Sequence, residues 1–171
     1  MPQTGAGKRM PLYTPEQRRR RDGTRWTLVQ GILAPLQFLV FIVSTWLVVR
    51  YLLTDEGLWA AHASILVKTF ILYTIMVTGA IWEKVVFGRY LFARAFFWED
   101  VVSMMVIVLH TIYLASLFWD FLSTSQQMYL TLLAYAVYVV NATQFLLKLR
   151  AARLSEKAEA EQQRVGTAGA E

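Results

Sequence analysis

The sequence predicts an all-α, polytopic membrane protein with four transmembrane helices and both termini on the cytoplasmic side, and three observations carry that reading. Of 171 residues, 56% are hydrophobic and only 17% charged, with a mean hydropathy of +0.40, which is not the balance of a soluble domain. The charges are clustered, so four long stretches are almost free of them. The Lys and Arg residues flanking those stretches fall overwhelmingly on one side. Disorder and fibrous repeats are thereby excluded for the bulk of the chain. With no cysteine there is no disulfide framework, thiolate metal cage, iron–sulfur cluster or catalytic thiol, so chemistry must come from carboxylates, His, Lys, Tyr or a bound cofactor.

Along the chain, residues 1–25 read as a basic cytoplasmic tail. The apolar run that follows is too long for a secretory signal and lacks a small-residue cleavage site. Thr14, Pro15 and Gln17 have the pattern of an N-cap, a first-turn proline and a capping box, so a short helix carries Arg18 to Arg21. Those arginines suit topology and anionic lipid; nucleic acid is not an expected partner, because no aromatics are interleaved with them.

The first span, about 26–50, opens with 24 residues from Trp26 to Val49 without a charge or histidine. At about 1.5 Å per residue that exceeds a hydrocarbon core of roughly 30 Å. Pro35 removes a backbone bond from its middle, where a kink or small cavity is expected. The second span, 58–82, is interrupted only by His62 and by Lys68, read as lying towards its outer end. The third, 101–119, has His110 as its sole ionisable group. The fourth, 123–147, begins at the capping-box pair Ser123 and Gln126. Residues 26–153 thus form the transmembrane domain, and 154–171 a polar tail expected to be disordered. Of the 17 Lys and Arg residues, fifteen lie in the N-terminal tail, the segment 83–100 and the C-terminal tail, which makes that side cytoplasmic.

Candidate chemistry gathers between Trp82 and Asp100. Seven of the 17 residues from Trp82 to Trp98 are aromatic, so this connection lies at the membrane interface, either as an aromatic belt or as part of a site. Glu83, Glu99 and Asp100 stand at its ends. A carboxyl held against aromatic surface resists ionisation and can serve as a general acid; Asp100 equally suits the start of a helix, and Lys84 can pair with Glu83. Glu99, Ser103, Val106 and His110 follow one helical stripe roughly 16 Å long. His110 is then either a neutral imidazole bonded to a neighbouring helix or an axial ligand to a tetrapyrrole metal. Gln30 with Gln37, and Asn141 with Gln144, can each share a face, either bonding between helices or facing a substrate or bound water. The spans contain no deep Asp or Glu, which argues against a proton-coupled transporter. The three-residue match of 37–39 to 144–146 is too short to indicate an inverted repeat.

The runs at 12–16 (LYTPE), 26–31 (WTLVQG), 33–41 (LAPLQFLVF), 72–79 (LYTIMVTG), 81–89 (IWEKVVFGR), 95–100 (AFFWED) and 141–150 (NATQFLLKLR) closely resemble the 3-vinyl bacteriochlorophyllide hydratase family of phototrophic bacteria. The resemblance runs from about Leu12 to Arg153. It implies a multi-pass enzyme of a bacterial inner membrane, cytoplasmic or intracytoplasmic photosynthetic, acting in bacteriochlorophyll synthesis. Water adds to the C3 vinyl group of a chlorophyllide-type macrocycle to give a 3-(1-hydroxyethyl) group. No cofactor is implied beyond magnesium carried in the substrate. Protonation of the terminal vinyl carbon leaves a cation that the macrocycle delocalises, so the protein must supply an acid and deliver water. Glu83 or Glu99 is expected to donate the proton, with the other carboxylate or Asp100 orienting and deprotonating water. His110 would ligate magnesium or hydrogen-bond the ring periphery. Arg89, Arg94 or Lys84 would pair with the propionate, and aromatics, Trp82 and Trp98 among them, would pack the plate; Gln37, Asn141 and Gln144 are further candidate contacts. Lipids are partners, and contact with other enzymes of the same synthesis or self-association stays open. The competing function is a non-catalytic pigment carrier or photosystem assembly factor, using the same aromatic shelf and His110.

Overall fold

The structure, a computed structural model, describes the backbone of residues 12–168 and the side chains of residues 12–162. Five helices follow in order: α1 (Pro15–Gly23), α2 (Arg25–Thr54), α3 (Leu58–Phe87), α4 (Phe97–Trp119) and α5 (Thr124–Ala168). The last four are long and apolar enough to cross a membrane. Helices α2 and α3 form one antiparallel hairpin and α4 and α5 the other; contacts of α5 with α2 and of α4 with α3 close the bundle. Most of each apolar stretch faces outward, with Leu39, Trp46, Phe70 and Leu133 exposed on the perimeter, as a lipid solvent allows and water would not.

Local chemistry sets the breaks between helices. Thr14 accepts from the Gln17 N–H while the Gln17 side chain accepts from the Thr14 N–H, and Pro15 takes the first turn of α1. Helix α2 runs unbroken through Pro35. It ends at Asp55, in the left-handed region, and Gly57 at φ 82° completes the reversal into α3. Gly88, at φ 81°, terminates α3 with its N–H on the Lys84 carbonyl. Ser123 and Gln126 cap α5 reciprocally.

Polar bonds tie the helices together where lipid gives no hydrophobic drive for their association. Gln30 donates to Thr78 at 2.8 Å. The Ser44 hydroxyl meets Ser64 at 2.8 Å and Tyr135 at 2.6 Å, joining three helices. His62 Nδ1 lies 2.6 Å from the Tyr113 hydroxyl. Three apolar clusters stack along the axis: one about Val48, Ile65, Tyr113 and Met128, one about Leu72, Val106 and Tyr138, and one about Tyr13, Val86, Phe96 and Ala152.

Residues 154–168, expected to be disordered, instead continue α5 as helix. The reason is charge pairing with α1. Arg18 reaches Glu156 and Glu159 at 3.5 and 3.1 Å, and Arg21 reaches Glu156 at 2.8 Å. Residues 1–11 of the N-terminal tail and 169–171 of the C-terminal tail lie outside the described residues. Replacing Arg18 and Arg21 together by Ala removes three partly exposed ion pairs worth about 0.5 kcal/mol each. Amide exchange over residues 154–162 should accelerate roughly tenfold with the transmembrane amides unchanged, as hydrogen-exchange mass spectrometry can read.

Candidate functional site

Three carboxyl groups converge at the end of the bundle that carries α1 and the C-terminal half of α5. Glu83 is in the last turns of α3, and Glu99 and Asp100 are in the first turn of α4. All three are buried, at 5, 6 and 3% exposure. The connection 88–96 folds over them: the Phe92 N–H donates to Asp100 Oδ2 at 2.7 Å and the Ala93 N–H to Glu83 Oε2 at 3.3 Å. Phe92 takes φ 58°, a left-handed conformation strained for an aromatic residue and held in place here by its bond to Asp100.

The three carboxyls have different partners. Glu99 Oε2 forms an ion pair with Lys148 Nζ of α5 at 2.6 Å, and the same ammonium donates to the Ala95 carbonyl. Glu83 and Asp100 are buried neighbours whose charges bear on each other, and holding one proton between them is how such a pair avoids two unmatched charges. One layer therefore contains both a closely placed carboxyl pair and a carboxylate matched to a cation. An aromatic lid covers it. Phe96 stacks on Phe145 at 5.8 Å and meets Trp82 and Phe87 edge-on at 5.7 and 5.8 Å, while Trp82 Nε1 donates to Thr27. Tyr13 closes the cluster under the Arg21 guanidinium, and burial pushes its phenol up to about 12.

Beside this layer a surface groove of about 560 Å³ is lined by Leu12, Gln17, Phe87, Arg89, Ala93, Arg94 and Ala95. Arg89 and Arg94 are exposed there. Lys84 does not pair with Glu83; it donates to the Gly88 carbonyl at 3.0 Å and lies over Tyr90, because Glu83 points inward while Lys84 is on the exposed face of α3. Trp98 is 69% exposed and turned away from the carboxyls.

The other candidates lie deeper. Asn141 donates to Ser103 at 2.8 Å, and among the described residues its buried Oδ1 has no partner, nor has Oε1 of Gln144. His110 is 1% exposed; its Nδ1 bonds the Val106 carbonyl at 2.8 Å. Gln37 is likewise enclosed. Lys68 is fully buried in mid-bundle rather than near an outer end, for it lies ten residues, roughly 15 Å, into α3, half the depth of a hydrocarbon core. Lys148 was counted among the topology charges, yet its spacing of four from Gln144 and seven from Asn141 already placed it on their face.

A sequence profile of the family described as 2-vinyl bacteriochlorophyllide hydratase (BCHF) matches residues 13–151. A protein of that name from Cereibacter sphaeroides is 66% identical over 161 residues, covering 92% of this chain and 98% of the relative. Another of the same name from Rhodobacter capsulatus is 66% identical over 151 residues, 88% of each. No solved structure matches the chain.

The ion pair makes a stability prediction. Lys148→Met strands Glu99 without its cation and should cost about 2 kcal/mol, below the range for a fully enclosed pair because the lysine is 26% exposed. Adding Glu99→Gln should recover most of that loss in thermal unfolding in detergent.

Proposed function

The chain belongs to the 2-vinyl bacteriochlorophyllide hydratase family, and from that premise we propose that the buried Glu83–Asp100 pair shares a proton and supplies it for hydration of the substrate vinyl group. The protein is a membrane hydro-lyase of bacteriochlorophyll biosynthesis acting on a tetrapyrrole. The buried carboxyl pair is the observation that carries the assignment.

The reaction then runs in two steps. The proton held between Glu83 and Asp100 passes to the terminal vinyl carbon, using the π electrons of the double bond, and the resulting cation sits on the ring-attached carbon. Water adds to that carbon and gives up a proton to the pair, which returns to its starting state. The net change is one water across one double bond. Glu99, held by Lys148, contributes negative charge beside the cation and lies within the same layer to orient the water.

Arg89 and Arg94 suit the substrate propionate, since both line the groove against Ala93, whose N–H is on Glu83. Phe87 and Trp82 offer aromatic surface to the macrocycle, and Trp98 faces lipid. His110 is enclosed between α4 and α5, near Tyr135, so contact with the substrate magnesium would require the plate to part those helices; an interior role suits it better. The carboxyl-bearing end carries nearly all the basic residues and is assigned to the cytoplasm, in a bacterial inner or intracytoplasmic photosynthetic membrane.

Glu83→Gln and Asp100→Asn should each lower turnover by about 10²- to 10⁴-fold, the usual worth of a positioned acid, with pigment binding retained. Formation of hydroxyethyl pigment in isotopically labelled water, followed by mass spectrometry, reads this directly. Undiminished label incorporation in both variants would remove the pair from the mechanism. By contrast, Arg89→Ala with Arg94→Ala should raise KM about tenfold at little change in kcat, as loss of uniform substrate binding does.

A further inference from the structure

We propose that the middle of the bundle, between Gln37 of α2, Lys68 of α3 and His110 of α4, is a water-binding chamber that feeds the carboxyl layer by way of Asn141 and Gln144 of α5. The three side chains are 2, 0 and 1% exposed, and among the described residues none of Gln37 Nε2, Gln37 Oε1, Lys68 Nζ or His110 Nε2 has a protein hydrogen-bond partner. Lys68 and His110 border one group of rings, and Gln37 is one helical turn from it. Lys68 Nζ lies 3.7 Å from the Tyr138 ring centroid, 5.7 Å from that of Tyr135 and 5.9 Å from that of Phe41, which is one helical turn beyond Gln37. His110 also meets Tyr135, at 5.8 Å between ring centroids.

A ring face satisfies one side of a lysine head group, not its remaining hydrogens. No Asp or Glu occurs at this depth in any span, so the chain has no counter-charge to offer. Unmet polar atoms in a bilayer-spanning bundle are costly. Their chemistry identifies what meets them. Lys68 and the Gln37 amide nitrogen donate; the Gln37 oxygen accepts, and so does His110 Nε2, because its Nδ1 is spent on the Val106 carbonyl. An anion would suit only the donors and a metal cation only the acceptors. Water serves both.

The same pattern continues towards the reaction. Asn141 Oδ1 and Gln144 Oε1 are buried acceptors without protein partners, on the stripe of α5 that runs Tyr138, Asn141, Gln144, Lys148. From Tyr138 to Lys148 is ten residues, roughly 15 Å of helix, which bridges the chamber and the carboxyls. Under the aromatic lid, this is a route by which consumed water can be replaced. The supply role rests on the hydratase reading; the chamber itself does not.

Hydroxyl-radical footprinting of the intact protein in nanodiscs, read by mass spectrometry, tests both. Radicals form from water at the site, so Tyr135 and Tyr138 should be modified severalfold faster than Tyr113, which is 1% exposed in the apolar cluster at the other end. Lys68→Met should quench the Tyr138 signal and lower hydration turnover about tenfold with the pigment KM unchanged; Lys68→Gln, which keeps a polar end, should retain both. Gln37→Leu makes the same test from α2 should Lys68→Met fail to fold. Tyr135 and Tyr138 as protected as Tyr113 would overturn the chamber. Full turnover in a variant whose footprint is lost would overturn its supply role. Strong footprints in wild-type protein that forms no hydroxyethyl pigment would support the chamber and count against the hydratase reading.

Discussion

Burying three carboxyls in one layer with a single ammonium is the constraint on which the rest of this protein depends. An unpaired charge removed from water costs several kcal/mol even after relaxation, so Glu83, Glu99 and Asp100 cannot all be ionised and unmatched. Lys148 takes Glu99, and one proton shared by Glu83 and Asp100 would remove a second charge. The residual charge falls to the Phe92 and Ala93 N–H groups and to the positive end of α4. Each of these partners fixes a piece of the fold. The bond to Phe92 holds a strained φ, the bond to Ala93 draws the connection 88–96 down over the bundle, and Lys148 sets the register of α5 against α4.

Elsewhere the bundle inverts the rule for soluble domains. Large apolar residues cover the outside, and hydroxyls, amides and imidazoles lie within. In lipid this is the economical arrangement, because apolar surface gains little by leaving hydrocarbon, whereas a polar atom gains from any partner. Ser44 with Tyr135, and His62 with Tyr113, therefore join the two hairpins into one body, while Asn141 with Ser103 ties α5 to α4 within one of them. Past the membrane end of α5, where water returns, ion pairs between α1 and Glu156 and Glu159 take over that task.

The helices were legible because their signals are strong and local: apolar runs of 19 to 27 residues, capping boxes at Thr14 and Ser123, and basic residues gathered at one end. Glu83, Glu99 and Asp100 stood out as carboxyls beside aromatic sequence. Their division of labour was not legible. Which one meets Lys148 depends on the rotation of α5 against α4, a tertiary property that spacing within either helix does not contain. Lys84 shows the same limit, since adjacency to Glu83 in sequence places the two on different sides of a helix. Helix in 154–168 was missed for a related reason. The segment is too polar to build a core, and its ordering comes from arginines more than 130 positions away.

Hydration of a vinyl group asks one site for opposed properties: enough acidity to protonate carbon, then enough negative charge to steady the cation that results. A lone buried carboxyl offers the first and loses the second while it is protonated. A pair sharing a proton, with a third carboxylate alongside, offers both in sequence. In the proposed mechanism, donation to the vinyl carbon would leave the Glu83–Asp100 pair negative at the moment the cation appears, and that negative pair would also be the base that takes the proton from attacking water. Lys148 offsets the charge of Glu99, which would otherwise oppose ionisation of the neighbouring pair. Its contact with both Glu99 and the Ala95 carbonyl couples that electrostatic balance to the position of the connection above.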